Sequence, residues 1–156
     1  MAFRVLGLDP GLFANFIGRT DAELAARGAR RCRVDTYPGF PDRIAVRDLA
    51  IGETAILLNY EHQPADTPYR SRHAIFVGET AREALDVVDT IPDALYRRPI
   101  SLRAFDDVGD MRAAELCAGE ALIPGIERLF ADPGVAYLHA HYALRGCYAA
   151  RIVRSA

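Results

Sequence analysis

The alternation of apolar and polar positions along this chain is mostly that of short strands. Segments Phe3 to Leu8, Arg30 to Thr36, Thr54 to Tyr60, Ala74 to Val77, Pro99 to Phe105, Met111 to Cys117, Ala136 to Tyr142 and Cys147 to Val153 read as extended. Most are joined by short links, which impose antiparallel pairing. Helical signals are fewer. Asp9 followed by Pro10 has the form of an N-cap with proline at the first helical position, opening a helix closed by Gly18. Thr20-Asp21-Ala22-Glu23 has the form of a capping box, with Gly28 as the stop. Leu12, Phe13, Phe16 and Leu24 supply apolar faces to this pair, and one late helix, Leu122 to Ala131, buries Ile126, Leu129 and Phe130. The expected fold is α+β, a mainly antiparallel sheet of about six to seven strands with two N-terminal helices and one late helix.

Composition narrows the picture without changing it. The chain has 156 residues, 51% of them hydrophobic and 26% charged, so residues 1–156 are expected to form a single globular domain. No apolar run reaches the length of a membrane span. An acid at Asp9 arrives too early for a secretory signal, and three widely spaced cysteines (Cys32, Cys117, Cys147) suggest reduced thiols, so a cytoplasmic location is expected. All 19 basic residues are arginine, which excludes Schiff-base and phosphate-loop lysine chemistry. With a net charge of −2 and no basic tract, neither nucleic acid nor a membrane is an expected partner.

The chemistry concentrates in residues 137–147, which hold His139, His141 and Cys147 in one expected hairpin. Residues two apart on a strand share a face, about 6.5–7 Å apart at the backbone. Two imidazoles so placed can ligate a metal if His62 or a carboxylate completes the set. The pair alone falls short of the three or more protein ligands that zinc needs, so hydrogen-bonded histidines lining a polar pocket are the ordinary reading and no metal is assigned. Gly146 fits a three-residue turn, Leu144-Arg145-Gly146. That odd register places Cys147 opposite Ala143, Ala149 opposite His141 and Arg151 opposite His139, putting Cys147 and Arg151 on the histidine face. An even loop puts Tyr148 and Ile152 there instead. Cys147 near a histidine is a candidate nucleophile, although a cysteine in a strand is more often a small buried hydrophobe.

Asn59-Tyr60-Glu61-His62-Gln63 forms a polar cluster where an apolar strand ends, and His62 with Glu61 or Asp66 is a candidate general base. Arg103 alternates with Leu102 and Ala104, so it leaves the core row and is either solvated or an anion clamp. Arg70 and Arg72 fit a solvated loop, and Asp106, Asp107 and Asp110 around Gly109 fit a hairpin turn rather than a calcium loop.

The segments Leu58 to Pro64, Thr67 to Ser71, Ile75 to Val77, Ser101 to Ala104, Tyr137 to His141 and Arg145 to Arg151 resemble a bacterial family catalogued as domain of unknown function 1203, and the resemblance covers nearly the whole chain. It implies no reaction and no cofactor. Members often have a cysteine where this chain has Asp42, which removes any pairing of that cysteine with Cys147 here. The residues thus point to a small anionic ligand in a cleft lined by Asn59, Tyr60, His62, Arg103, His139, His141 and Arg151. The alternatives are an enzyme using His62 and His141 in acid–base chemistry or a histidine-bound metal, and a homodimer or protein-interaction module.

Overall fold

In the computed structural model, which describes residues 1–156, nine strands form two antiparallel sheets. The smaller sheet is β2 (Arg30–Arg33), β3 (Thr54–Gln63) and β4 (Ser71–Gly78), in that order. The larger contains β1 (Phe3–Leu6), β5 (Asp86–Val88), β6 (Pro99–Phe105), β7 (Met111–Ala118), β8 (Tyr137–Tyr142) and β9 (Tyr148–Arg154), ordered β5-β1-β9-β8-β6-β7. Helices are minor: α1 (Asp21–Ala26), α2 (Asp93–Tyr96) and α3 (Leu122–Phe130).

Strand alternation gives the larger sheet two different faces. Ile100, Leu102 and Ala104 of β6 and Leu138 and Ala140 of β8 form one apolar core with Leu122, Ile126, Leu129 and Phe130 of α3. Gly125 lets that helix approach, because a Cβ there would sit 2.5 Å from Cys117 Sγ and 3.2 Å from Leu102 Cδ1. On the opposite face, Tyr148 of β9 joins a second core with Ile56 and Leu58 of β3, Ile75 and Val77 of β4, and Phe13 and Leu24. Strand β8 is therefore covered on both faces, and all six of its residues are buried.

The expected single sheet of six to seven strands is two sheets with nine strands between them. Segment β5 was not expected; its Asp-Val-Val is too short to show a period. The first expected helix is only one 3-10 turn, Pro10–Phe13, capped by the Asp9 carboxylate accepting from Gly11 N, and Gly18 with φ 70° lies beyond it. So short a segment has little helical stability of its own, and burial of Phe13 settles its shape. The second, α1, carries both halves of the capping box at Thr20 and Glu23. The late helix lies where the periodicity places it. All three cysteines are free.

Gly7 marks where three segments meet. Its N–H donates to Leu85 O at 2.8 Å, Leu85 N–H donates to Ile44 O at 2.8 Å, and a Cβ on Gly7 would lie 1.8 Å from that Ile44 oxygen. Gly7→Ala forces backbone apart, and a loss of about 2 kcal/mol or more is expected in urea unfolding. A loss within about 0.5 kcal/mol would mean that this junction yields freely.

Candidate metal centre

Two β-bulges set the geometry of the inner face. The turn joining β8 to β9 has four residues, 143–146, closed by Tyr142 N–H donating to Cys147 O at 2.9 Å. His141 therefore pairs with Tyr148, as an even loop demands, yet Ala140 pairs with Ala150 and His139 with Arg151. Ala149 is the extra residue. The bulge turns both Tyr148 and Arg151 toward the histidines, so the odd register is wrong near the turn and right beyond it. Cys147 is displaced from the histidine face as a result. A second bulge interrupts β3, where Tyr60 pairs with His73 but Gln63 with Ser71. It lets consecutive residues point inward: the His62 ring lies 4.9 Å from that of His141 and 6.1 Å from that of His139, while Gln63 Nε2 donates to Tyr137 Oη at 2.8 Å.

The three imidazoles each offer a ligand nitrogen, and these nitrogens lie within 4.8 Å of one another. His139 is 2% exposed and His141 is fully buried. Nδ1 of His62, Nδ1 of His139 and Nε2 of His141 are buried with no hydrogen-bond partner. His141 Nδ1 lies 2.9 Å from Gly146 O. A carbonyl only accepts, so Nδ1 carries the proton and Nε2 presents a lone pair. Tyr148 packs the group from below, stacked on His62 at 5.6 Å and edge-on to His139 and His141 at 5.1 and 5.9 Å. Burial pushes His62 down to about 4, His139 to about 2 and His141 to about 3; nearby Arg103 adds to all three shifts and Arg151 to that of His139. All three are neutral at pH 7, the state a metal ligand needs. Tetrahedral zinc with bonds of about 2.0–2.1 Å holds its ligands about 3.4 Å apart, within reach by small side-chain rotations.

Arg103 and Arg151 flank this group. Arg103 sits opposite His139 across β6 and β8, and Arg151 opposite His139 across β8 and β9. Tyr60 is half-buried against Tyr148 at 6.1 Å between ring centroids. Asn59 falls on the other face of β3, exposed, where its Oδ1 accepts from Arg72. Glu61 pairs with Arg70, and His62 Nδ1 is buried without any hydrogen-bond partner, so neither Glu61 nor Asp66 orients the ring through that nitrogen. Asp106 caps the β6–β7 turn by accepting from the amides of Val108, Gly109 and Asp110. Cys147 accepts from Arg43 Nη2 at 3.1 Å, in a cavity of about 510 Å³ lined also by Arg98, Tyr142 and His73. None of His62, His139 and His141 lines that cavity. Clustered imidazoles with buried, unpartnered nitrogens are a stronger sign of a ligand than volume alone. Tyr137 and Gln63 are members that sequence reasoning left out, and Tyr148 stood only in the even-loop alternative; Tyr137 follows from the alternation of β8, whereas Gln63 and Tyr148 share the face with His62 and Arg151 through the bulges.

These low histidine pKa values carry a stability consequence in metal-stripped protein. A buried imidazole that stays neutral when folded takes up a proton on unfolding below about pH 6.5, so stability falls as pH drops from there toward about 3. His139 and His141 each contribute up to about 1.4 kcal/mol per pH unit in that window. Urea unfolding of His139→Asn between pH 7 and pH 5 should show a dependence shallower by about one proton. An unchanged slope would place the His139 pKa near its ordinary value.

No curated protein and no solved structure matches the chain. The family described as "Protein of unknown function (DUF1203)" matches residues 39–154, a span that holds His62, Arg103, His139, His141 and Arg151. The chain belongs to the DUF1203 family.

Proposed function

We propose that this protein binds one divalent transition metal ion, zinc by preference, through His62, His139 and His141, and uses the remaining coordination position on a small molecule. The observation that carries the reading is a cluster of three imidazoles whose ligand nitrogens lie within 4.8 Å of one another, each of the three rings also having a buried nitrogen with no hydrogen-bond partner. A buried polar atom left unpaired costs about 1–3 kcal/mol, and three in one place argue for a common ligand. Three histidines with an open fourth position is the pattern of catalytic rather than structural zinc, in which bound water becomes acidic near neutral pH. The His141 Nδ1–H to Gly146 O bond supplies the orienting contact that metal-bound imidazoles use.

Acid–base catalysis by free imidazoles is less well supported. A general base works best with a pKa near the working pH, and burial drives these far below it.

Purified protein loaded with zinc and dialysed against a weak chelator should retain about one ion per chain by elemental analysis. His62→Ala, on the half-exposed side, and His141→Gln should each retain far less while keeping the wild-type circular dichroism spectrum. Wild-type protein that holds no more metal than these variants would sink the proposal.

A further inference from the structure

Arg103, beside the histidines, is unlike the protein's other half-buried arginines. Arg31 is neutralised by Glu79 and Asp21, and Arg98 by Asp48. Arg103, also half-buried, makes no ion pair; its only side-chain bond is from Nε to Ser101 Oγ at 3.4 Å. Desolvation lowers its pKa, and no anion of the protein offsets that cost. Arg151 is likewise without a carboxylate. Its guanidinium is laid over the Tyr137 ring at 3.8 Å, and Gln63 in turn holds the Tyr137 hydroxyl. Cation–π contact fixes the plane of the guanidinium while leaving its N–H edges free.

Register puts these two charges on either side of one ligand. Arg103, His139 and Arg151 form a single row across β6, β8 and β9, directly opposed at each step. Directly opposed residues stand about 4.5–5.5 Å apart at Cβ, so both guanidiniums reach the space next to a metal on His139. Tyr60, beside Arg151 and kept protonated by burial, adds a hydroxyl donor. No carboxylate enters this space. Three neutral imidazoles and two unpaired guanidiniums make a site whose charge is balanced only by an incoming anion.

We propose that Arg103 and Arg151 clamp a small oxyanion, a carboxylate or a phosphate, whose remaining oxygen occupies the open position of the ion held by His62, His139 and His141. This rests on the metal reading above. Arg151 is exposed, and Arg103 and His62 are half-buried, so the anion enters from that side while His139 and His141 form the floor. Planar carboxylate and tetrahedral phosphate share the fork geometry that guanidinium recognises.

The test uses cobalt(II) as the bound metal, whose visible spectrum reports its coordination. Acetate, malonate and inorganic phosphate are titrated into cobalt-loaded wild type, Arg103→Gln, Arg151→Gln and the double variant. Saturable spectral change is expected in the wild type, with the better of the carboxylate and phosphate series identifying the anion class. Each single variant should keep one cobalt per chain and bind that anion about ten- to a hundredfold more weakly, and the double variant should show no saturation. Variants that keep both cobalt and wild-type anion affinity would overturn the clamp while leaving the metal centre intact. Should wild type bind no cobalt, the metal reading fails. Calorimetric titration of phosphate and malonate into the metal-free variants then decides the clamp alone: arginine-dependent binding upholds it and arginine-independent binding ends it.

Discussion

A strand buried on both faces has to satisfy every polar side chain it carries from inside the protein. Strand β8 is in that position, packed by α3 on one side and by the second sheet on the other. Its alternation is paid out unequally: Leu138 and Ala140 enter an apolar core, while Tyr137, His139 and His141 enter the space between the sheets. His139 Nδ1 and His141 Nε2 are sealed from water there, so each needs a protein partner or a ligand. Gly146 O serves His141 Nδ1, and the three imidazoles cluster with ligand nitrogens within 4.8 Å of one another. The candidate centre is a consequence of where that strand lies.

The two bulges convert an ordinary sheet face into a site. Regular alternation would give one inward residue in two, and it would send either His62 or Gln63 outward, and either Tyr148 or Arg151. With one extra residue in β3 and one in β9, all four face inward. His62 completes the histidine trio, Tyr148 supports it, Gln63 holds Tyr137, and Tyr137 holds Arg151. Each contact fixes the next, so the positions of ligand, support and flanking charge are coupled through backbone irregularities that regular pairing lacks.

Electrostatics separates two kinds of arginine in this protein. Asp42, fully buried, is satisfied by the amides of Ile44, Ala45 and Gly78, and neighbouring Arg43 donates to Pro41 O, Tyr148 O and Cys147 Sγ. That cluster is complete within the chain and ties the 41–48 segment to β9. The row Arg103, His139, Arg151 is incomplete, since no acid approaches it. The difference separates a fold-holding arginine from one with donors left to offer.

Much of the architecture was legible from local pattern. The α+β class, the antiparallel pairing, α3 with its buried Ile126, Leu129 and Phe130, and the capping box of α1 all follow from short-range spacing, which is a property of neighbouring residues. So did the idea that His62, Arg103, His139 and His141 belong together, because polar residues leaving apolar strands need a common reason. Two sheets in place of one, the four-residue turn at 143–146 and the two bulges were out of reach. Sheet stacking and register depend on long-range packing, and a one-residue slip exchanges the faces of every residue beyond it. Sequence alone therefore supplied the histidines and arginines. Tertiary structure decided that three imidazoles meet nitrogen to nitrogen and that Asn59 and Cys147 stand apart, because only the packing of one sheet on the other determines which side of a strand is enclosed.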